Sequence, residues 1–249
     1  MKPTFAFAEW PYVALAVFCL GVVWQSFRLS KGITLVKAKL PKEWAVFGRN
    51  GLWRISVALL FLGHIAGLAF PRKILLWDGS AIRLYALEGL ALAVSVVAVA
   101  GWVVLIWKHV ERSDRSVASE VAEAIFLEVT FVALLSGLLM AVLYRWGSFW
   151  GVLTLRPYVV SLLRGAPAPG FALQMPFLVR LHVFSSFTAV ALVPFSRLAP
   201  FLALVLHAFI KLTSKGTQLA SKTVYGLGRA AEAWLKRRSP AAWIWRAGE

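Results

Sequence analysis

The chain has 249 residues, of which 60% are apolar and 15% charged, against about 45–50% and about 25% in an ordinary soluble domain. The apolar residues are bunched into long runs, which excludes a water-soluble globular protein. A formal net charge of +16 points, in such a chain, to basic loops that meet anionic lipid or an acidic partner, not to nucleic acid.

A membrane-spanning helix needs roughly 20 mainly apolar residues, and five stretches qualify: about 10–27, 53–70, 85–107, 121–144 and 177–210. The expected fold is all-α, a bundle of five transmembrane helices. The first stretch carries no charge between Trp10 and Phe27. Only Lys2 precedes it and Glu9 sits at its edge, so it does not read as a cleaved signal peptide. It holds the single cysteine, Cys19, which excludes a disulfide framework, a cysteine zinc site, a protein-held iron–sulfur cluster and c-type haem attachment. The second stretch contains His64 and ends before Pro71. The fourth contains Glu128, which is expected to face the bundle and find a partner such as Arg54 or Arg112. The connector at 146–176 includes Gly165-Ala-Pro-Ala-Pro-Gly170 and reads as turn-rich. The fifth stretch is too long for one ordinary span, so it either projects past the bilayer or bends near Pro194 and Pro200. Residues 1–210 thus form the membrane domain. The basic tail 211–249, with Leu219, Val224, Leu227, Ala231, Trp234 and Leu235 at broadly helical spacing, is an interfacial helix, a docking surface or a solvated tail.

Counting Lys and Arg in alternate loops gives 19 on the side of the 28–54 loop and the tail, and 8 on the other. The positive-inside rule then places the N-terminus outside and the C-terminus in the cytoplasm. Trp10, Trp53, Trp77, Trp107, Trp146 and Trp150 fall near span ends, where an aromatic belt would sit.

Ionisable groups inside a span are costly and mark function. His64 lies seven residues before Pro71 and His182 six residues after Pro176, so they sit ~10 Å and ~9 Å in from the same outer side. Two imidazoles at matched depth on separate helices can supply the axial ligands of a haem b. Equally, they can be two buried histidines bonded to carbonyls or other side chains.

Gly51-Leu52-Trp53-Arg54 followed by Phe61-Leu62-Gly63-His64-Ile65-Ala66-Gly67, and Val179-Arg180-Leu181-His182 followed by Pro194-Phe195-Ser196-Arg197-Leu198, resemble the second and fifth spans of the respiratory nitrate reductase gamma subunit family. The resemblance covers about residues 10–200. It implies a plasma-membrane cytochrome b that oxidises quinol near the outer face and passes electrons to an iron–sulfur subunit and a molybdenum catalytic subunit. It implies His64 and His182 as the iron ligands of the outer haem b. The family's second haem uses positions that are Arg54 and Pro200 here, and neither residue can ligate iron. One haem is therefore expected. A second on the remaining pair, His109 and His207, is not: 25 residues separate His182 from His207, ~37 Å along a straight helix, and His109 lies among Lys108, Glu111 and Arg112.

For the quinol site, Arg72, Lys73, Arg83 and Glu88 flank the outer span ends near His64. Arg83 stands closest to the position of a family lysine and could hydrogen-bond a quinone oxygen. It is a poor proton acceptor, which makes Glu88 the expected base. Arg197 lies too far along a straight helix to reach a propionate of the outer haem. Without an inner haem, the outer loop with Arg156 and Arg164 becomes a possible docking surface for the iron–sulfur partner. The other readings are a cytochrome b of a hydrogenase or sulfur-cycle reductase, and a haemless membrane anchor or transporter.

Overall fold

A chain in lipid must satisfy its backbone hydrogen bonds internally, which leaves the helix as the simplest solution for long apolar runs. The computed structural model describes residues 4–30, 51–110 and 117–196, with side chains for 4–25, 53, 55–107 and 121–196. All regular elements among them are helical: α1 (Phe5–Ala8), α2 (Trp10–Ser30), α3 (Gly51–Ala69), α4 (Pro71–Asp78), α5 (Ala81–Val110), α6 (Val117–Leu143), α7 (Gly147–Trp150), a π-helical segment (Gly151–Leu155), α8 (Arg156–Leu163), α9 (Gly170–Leu173), α10 (Phe177–Leu192) and a 3₁₀ turn (Val193–Phe195). These residues all fall within one compact unit, Met1–Phe201. The 211–249 tail, with the domain boundary expected before it, lies outside the described residues.

Three helices are long and apolar enough to cross a membrane, over Ala81–Trp107, Val121–Leu143 and Phe177–Phe195. The pair α3–α4, bent by 102° at its break, qualifies as a fourth when taken together. The bend follows from Phe70-Pro71. Proline opens α4 without a backbone N–H and pushes Phe70 out of helical geometry, at φ −121° and ψ 51°. Arg156 Nε donates to the Leu68 carbonyl at 3.1 Å and so occupies an acceptor near the break.

The expected bend of the fifth stretch occurs at Pro194, where α10 gives way to the 3₁₀ turn and an extended Ser196. Gln25 Nε2 donates to the Pro194 carbonyl at 2.9 Å. Gly21 is what lets α2 approach: a Cβ there would stand 2.7 Å from Pro194 Cβ. The straight-helix distances from His182 to Arg197 and His207 therefore do not apply. Both residues, and Pro200, lie outside the described residues.

The main helices pack in the order α2–α10–α6–α5–α3. At one end α1, α8 and α9 close over α10 through Phe7, Tyr158, Leu162 and Ala172, with Val183 and Phe187 beneath. Tyr158 donates to the Phe7 carbonyl at 2.9 Å and Tyr12 to that of Leu162 at 2.8 Å. Burial, with Tyr12 adding, pushes the Tyr158 phenol well above its ordinary value. The second core joins Trp53, Trp102, Leu105, Phe126 and Leu127.

Three expectations need correction. The connector is largely helical from Gly147 to Leu163, with turns only around its Gly-Ala-Pro-Ala-Pro-Gly run. Glu128 is exposed, and Glu123 is the buried carboxylate among the described side chains of α6. The buried face of α6 runs through Glu123, Phe126, Leu127, Ala133 and Ser136, a helical repeat that places position 128 elsewhere. Trp53 belongs to the buried core at 5% exposure and not to an interfacial belt.

Candidate functional site

His64 on α3 and His182 on α10 come together, with ring centroids 6.0 Å apart and planes inclined by 28°. Each ring is held through Nδ1. His64 Nδ1 lies 2.7 Å from the Leu60 carbonyl, one turn back on its own helix. His182 Nδ1 lies 2.8 Å from the Ala133 carbonyl of α6, with Ser136 Oγ a second neighbour at 3.3 Å. A carbonyl can only accept, so both rings donate from Nδ1 and carry their lone pair on Nε2. An imidazole tied in this way is prepared to bind a metal through its other nitrogen.

The spacing fits that reading. Two imidazoles held on opposite sides of one ion, each at a metal–nitrogen distance of ~2 Å, have centroids ~6 Å apart. Room is available on the α3 side, because His64 is exposed and a Cβ on Gly63 would meet nothing within 4 Å. On the α6 side the fit is close. A Cβ on Gly137 would stand 3.0 Å from His182 Cε1 and 3.3 Å from its Nδ1. Two histidines on separate helices form one of the ligand sets that can hold a porphyrin iron.

Eleven residues back along α3, at Trp53, the space is filled. Trp53 lies 5.2 Å from Trp102 with the ring planes tilted by 34°, and Trp102 meets Phe126 edge-on at 6.0 Å and donates Nε1 to the Leu127 carbonyl at 2.9 Å. Val57 of α3 and Leu192 of α10 pack on the same cluster. Position 54, whose side chain is not described, directly follows the tryptophan that anchors it. His109 is the penultimate residue of α5, with its side chain outside the described set.

The other predicted residues lie where α3, α4, α5 and the α7–α8 helices meet. Arg83 is exposed, spans 5.6 Å to the Trp77 ring and donates to the Leu76 carbonyl at 3.3 Å. Glu88 Oε1 accepts from both the Ser148 amide, at 3.1 Å, and its hydroxyl, at 3.0 Å, and so caps α7. Arg72 and Lys73 are exposed on α4. The π-helical segment lies against the ends of α3 and α4, with Val152 4.0 Å from where a Gly67 Cβ would be.

Sequence reasoning missed Asp78. This side chain is 8% exposed and both its oxygens are buried without a hydrogen-bond partner. In the sequence it stands in Trp-Asp-Gly-Ser, which signals only a turn. Ser136 and Gly137 were also missed, since a small polar pair inside an apolar span carries no mark of the imidazole it faces.

A helical membrane protein that brings two imidazoles from separate helices to 6.0 Å, each tied to a carbonyl through Nδ1, belongs to the class able to hold a porphyrin within a bundle. The family model described as nitrate reductase gamma subunit matches residues 3–211. The chain belongs to that family. A comparison with curated proteins returns no match.

Proposed function

We propose that the chain is the haem b membrane subunit of a nitrate reductase-like complex, taking electrons from quinol and passing them to an iron–sulfur subunit that serves a molybdenum catalytic subunit. The observation that carries this reading is the His64–His182 pair, 6.0 Å apart with both Nδ1 atoms on backbone carbonyls. These two residues would hold one haem b, which supplies one-electron redox chemistry when bound. Five spans in the plasma membrane, with the N-terminus outside, complete the proposal. In that arrangement α2 is the first span and α3–α4 the second, with α4 turned to lie along the outer interface.

The protein's own groups would handle quinol and its protons. Arg83 and Glu88 border the outer site, and the Arg83 guanidinium is suited to donate to a quinone oxygen. The preferred proton acceptor is Asp78, because Glu88 already accepts two hydrogen bonds from Ser148 while the Asp78 carboxylate has none. A buried carboxylate without partners is a costly arrangement, and such groups concentrate at sites of proton chemistry.

The test is haem stoichiometry of the purified chain by pyridine haemochrome. One haem b per polypeptide is expected, lost in His64→Ala and in His182→Ala and kept in His109→Ala and His207→Ala. Two haems per chain would defeat the single-site assignment, and none would defeat the cytochrome reading.

A further inference from the structure

An electron on a cofactor between His64 and His182 has two ways out, and they differ in length. His64 stands six residues from Phe70 and thirteen from Gly51, or ~9 Å and ~20 Å by helical rise. His182 stands six residues from Pro176, again ~9 Å on the same side. In the longer direction the helices are joined by the Trp53–Trp102–Phe126 cluster, packed side chain to side chain. Among the described residues this cluster occupies the longer path. Tunnelling falls steeply with distance, so the short route through the α7–α9 cap is the faster one.

The surface of that cap has a definite sign. From Tyr144 to Pro176 there are three arginines and no acidic residue. Arg156 is engaged with the Leu68 carbonyl, whereas Arg145 and Arg164 are exposed. Arg72 and Lys73 extend the cationic surface along α4. Of the carboxylates on this side, Asp78 is buried and Glu88 is occupied by Ser148, which leaves Glu9 exposed. Exposed Leu163 and Leu153 give the cap apolar points between its charges, as a protein-binding surface requires.

We propose that the α7–α9 cap is the docking surface for an acidic electron-carrying protein, and that electrons leave the chain across this face. The inference rests on the haem reading above. A haem b held by His64 and His182 would supply the one-electron chemistry, so that the oxidised centre of the partner would gain one electron per encounter with no bond made or broken in this chain. Cationic residues around the exit steer an acidic partner into productive encounters and lower the rate for a cationic one.

The test uses the full-length haem-loaded protein in sealed proteoliposomes, sorted by orientation through reaction of a membrane-impermeant thiol reagent with a Leu163→Cys reporter on the exposed cap, Cys19 being replaced by serine. Haem reduced by quinol is reoxidised by one of two membrane-impermeant oxidants, ferricyanide as the anion and hexaammineruthenium(III) as the cation. Ferricyanide should act fastest when the cap faces outward, should slow as salt is raised, and should slow about tenfold in Arg145→Glu/Arg164→Glu. The same variant should not slow the ruthenium complex, and its haem content should match the parent. Faster reoxidation from the face opposite the cap would overturn the proposal with the haem reading intact. So would a charge reversal without effect, the result expected if the arginines only hold lipid phosphates. Failure to load haem would overturn the underlying reading as well.

Discussion

His182 is positioned by three small features of α6: the Ala133 carbonyl, the Ser136 hydroxyl and the missing side chain of Gly137. The glycine is the sharpest of these. A methyl group at 3.0 Å from the ring forces the imidazole to give by a few tenths of an ångström, and the ring cannot move without loosening its Nδ1 bond. Gly137→Ala should therefore leave the helix content intact but shift the haem absorption bands and lower haem retention. Unchanged spectra in a redox titration would show that the ring is not held from this side. At Asp78 the expectation concerns protons. Asp78→Asn should keep haem and slow quinol-driven haem reduction by about 10²-fold or more, with partial recovery in Asp78→Glu. Parent-like kinetics in Asp78→Asn, together with a loss in Glu88→Gln, would return the base to Glu88. The pH profile of that reduction must be read with the neighbouring groups in view. The elements packed on α4 contribute His64 from α3 and Arg83, Tyr85 and Glu88 from α5, while α7 and the π-helical segment contain no titratable residue.

At the scale of the helices, contact between α3 and α5 depends on one glycine. A Cβ on Gly101 would lie 2.4 Å from Trp53 Cδ1 and 2.6 Å from its Cβ, so the indole lies almost on the α5 backbone. Gly101→Ala has no flexible neighbour to push aside. It should destabilise the protein by about 1–3 kcal/mol, seen as a lower Tm in detergent, while Gly89→Ala, which meets nothing within 4 Å, should not. How far the sequence foretold these elements depends on the kind of signal. Runs of apolar residues located the helices, and the prolines at 71 and 194 located both breaks. Depth-matching located His64 and His182, because helical rise is fixed and their distances from Pro71 and Pro176 could be counted. Rotation about the helix axis was harder. Glu123 and Glu128 look alike in an apolar run, and only the packed face of α6 distinguishes the buried one. The helical stretch from Gly147 to Leu163 was hidden by the Gly- and Pro-rich run beyond it. Arg156, free to dock a partner by sequence, is occupied at the end of α3.

For the whole molecule, the aromatic packing around Trp53 and Trp102 has an electrical meaning. Carrying an electron through the full thickness of a bilayer moves charge against or along the membrane voltage, at about 2.3 kcal/mol per 100 mV. On the proposed route, an electron donated by quinol at the capped side would stay on that side, and the quinol protons would be released there too. Turnover would then be electrically silent. In sealed vesicles, quinol oxidation coupled to an impermeant acceptor at the cap should give no signal from a voltage-sensitive dye while the haem cycles, and the rate should not change when a potassium gradient with valinomycin imposes a voltage. A potential that builds up with turnover would mean that the electron crosses the aromatic layer after all. If the chain is silent, any energy conserved by the complex must come from another component, and this subunit sets how fast quinol is drained, not how strongly the membrane is charged.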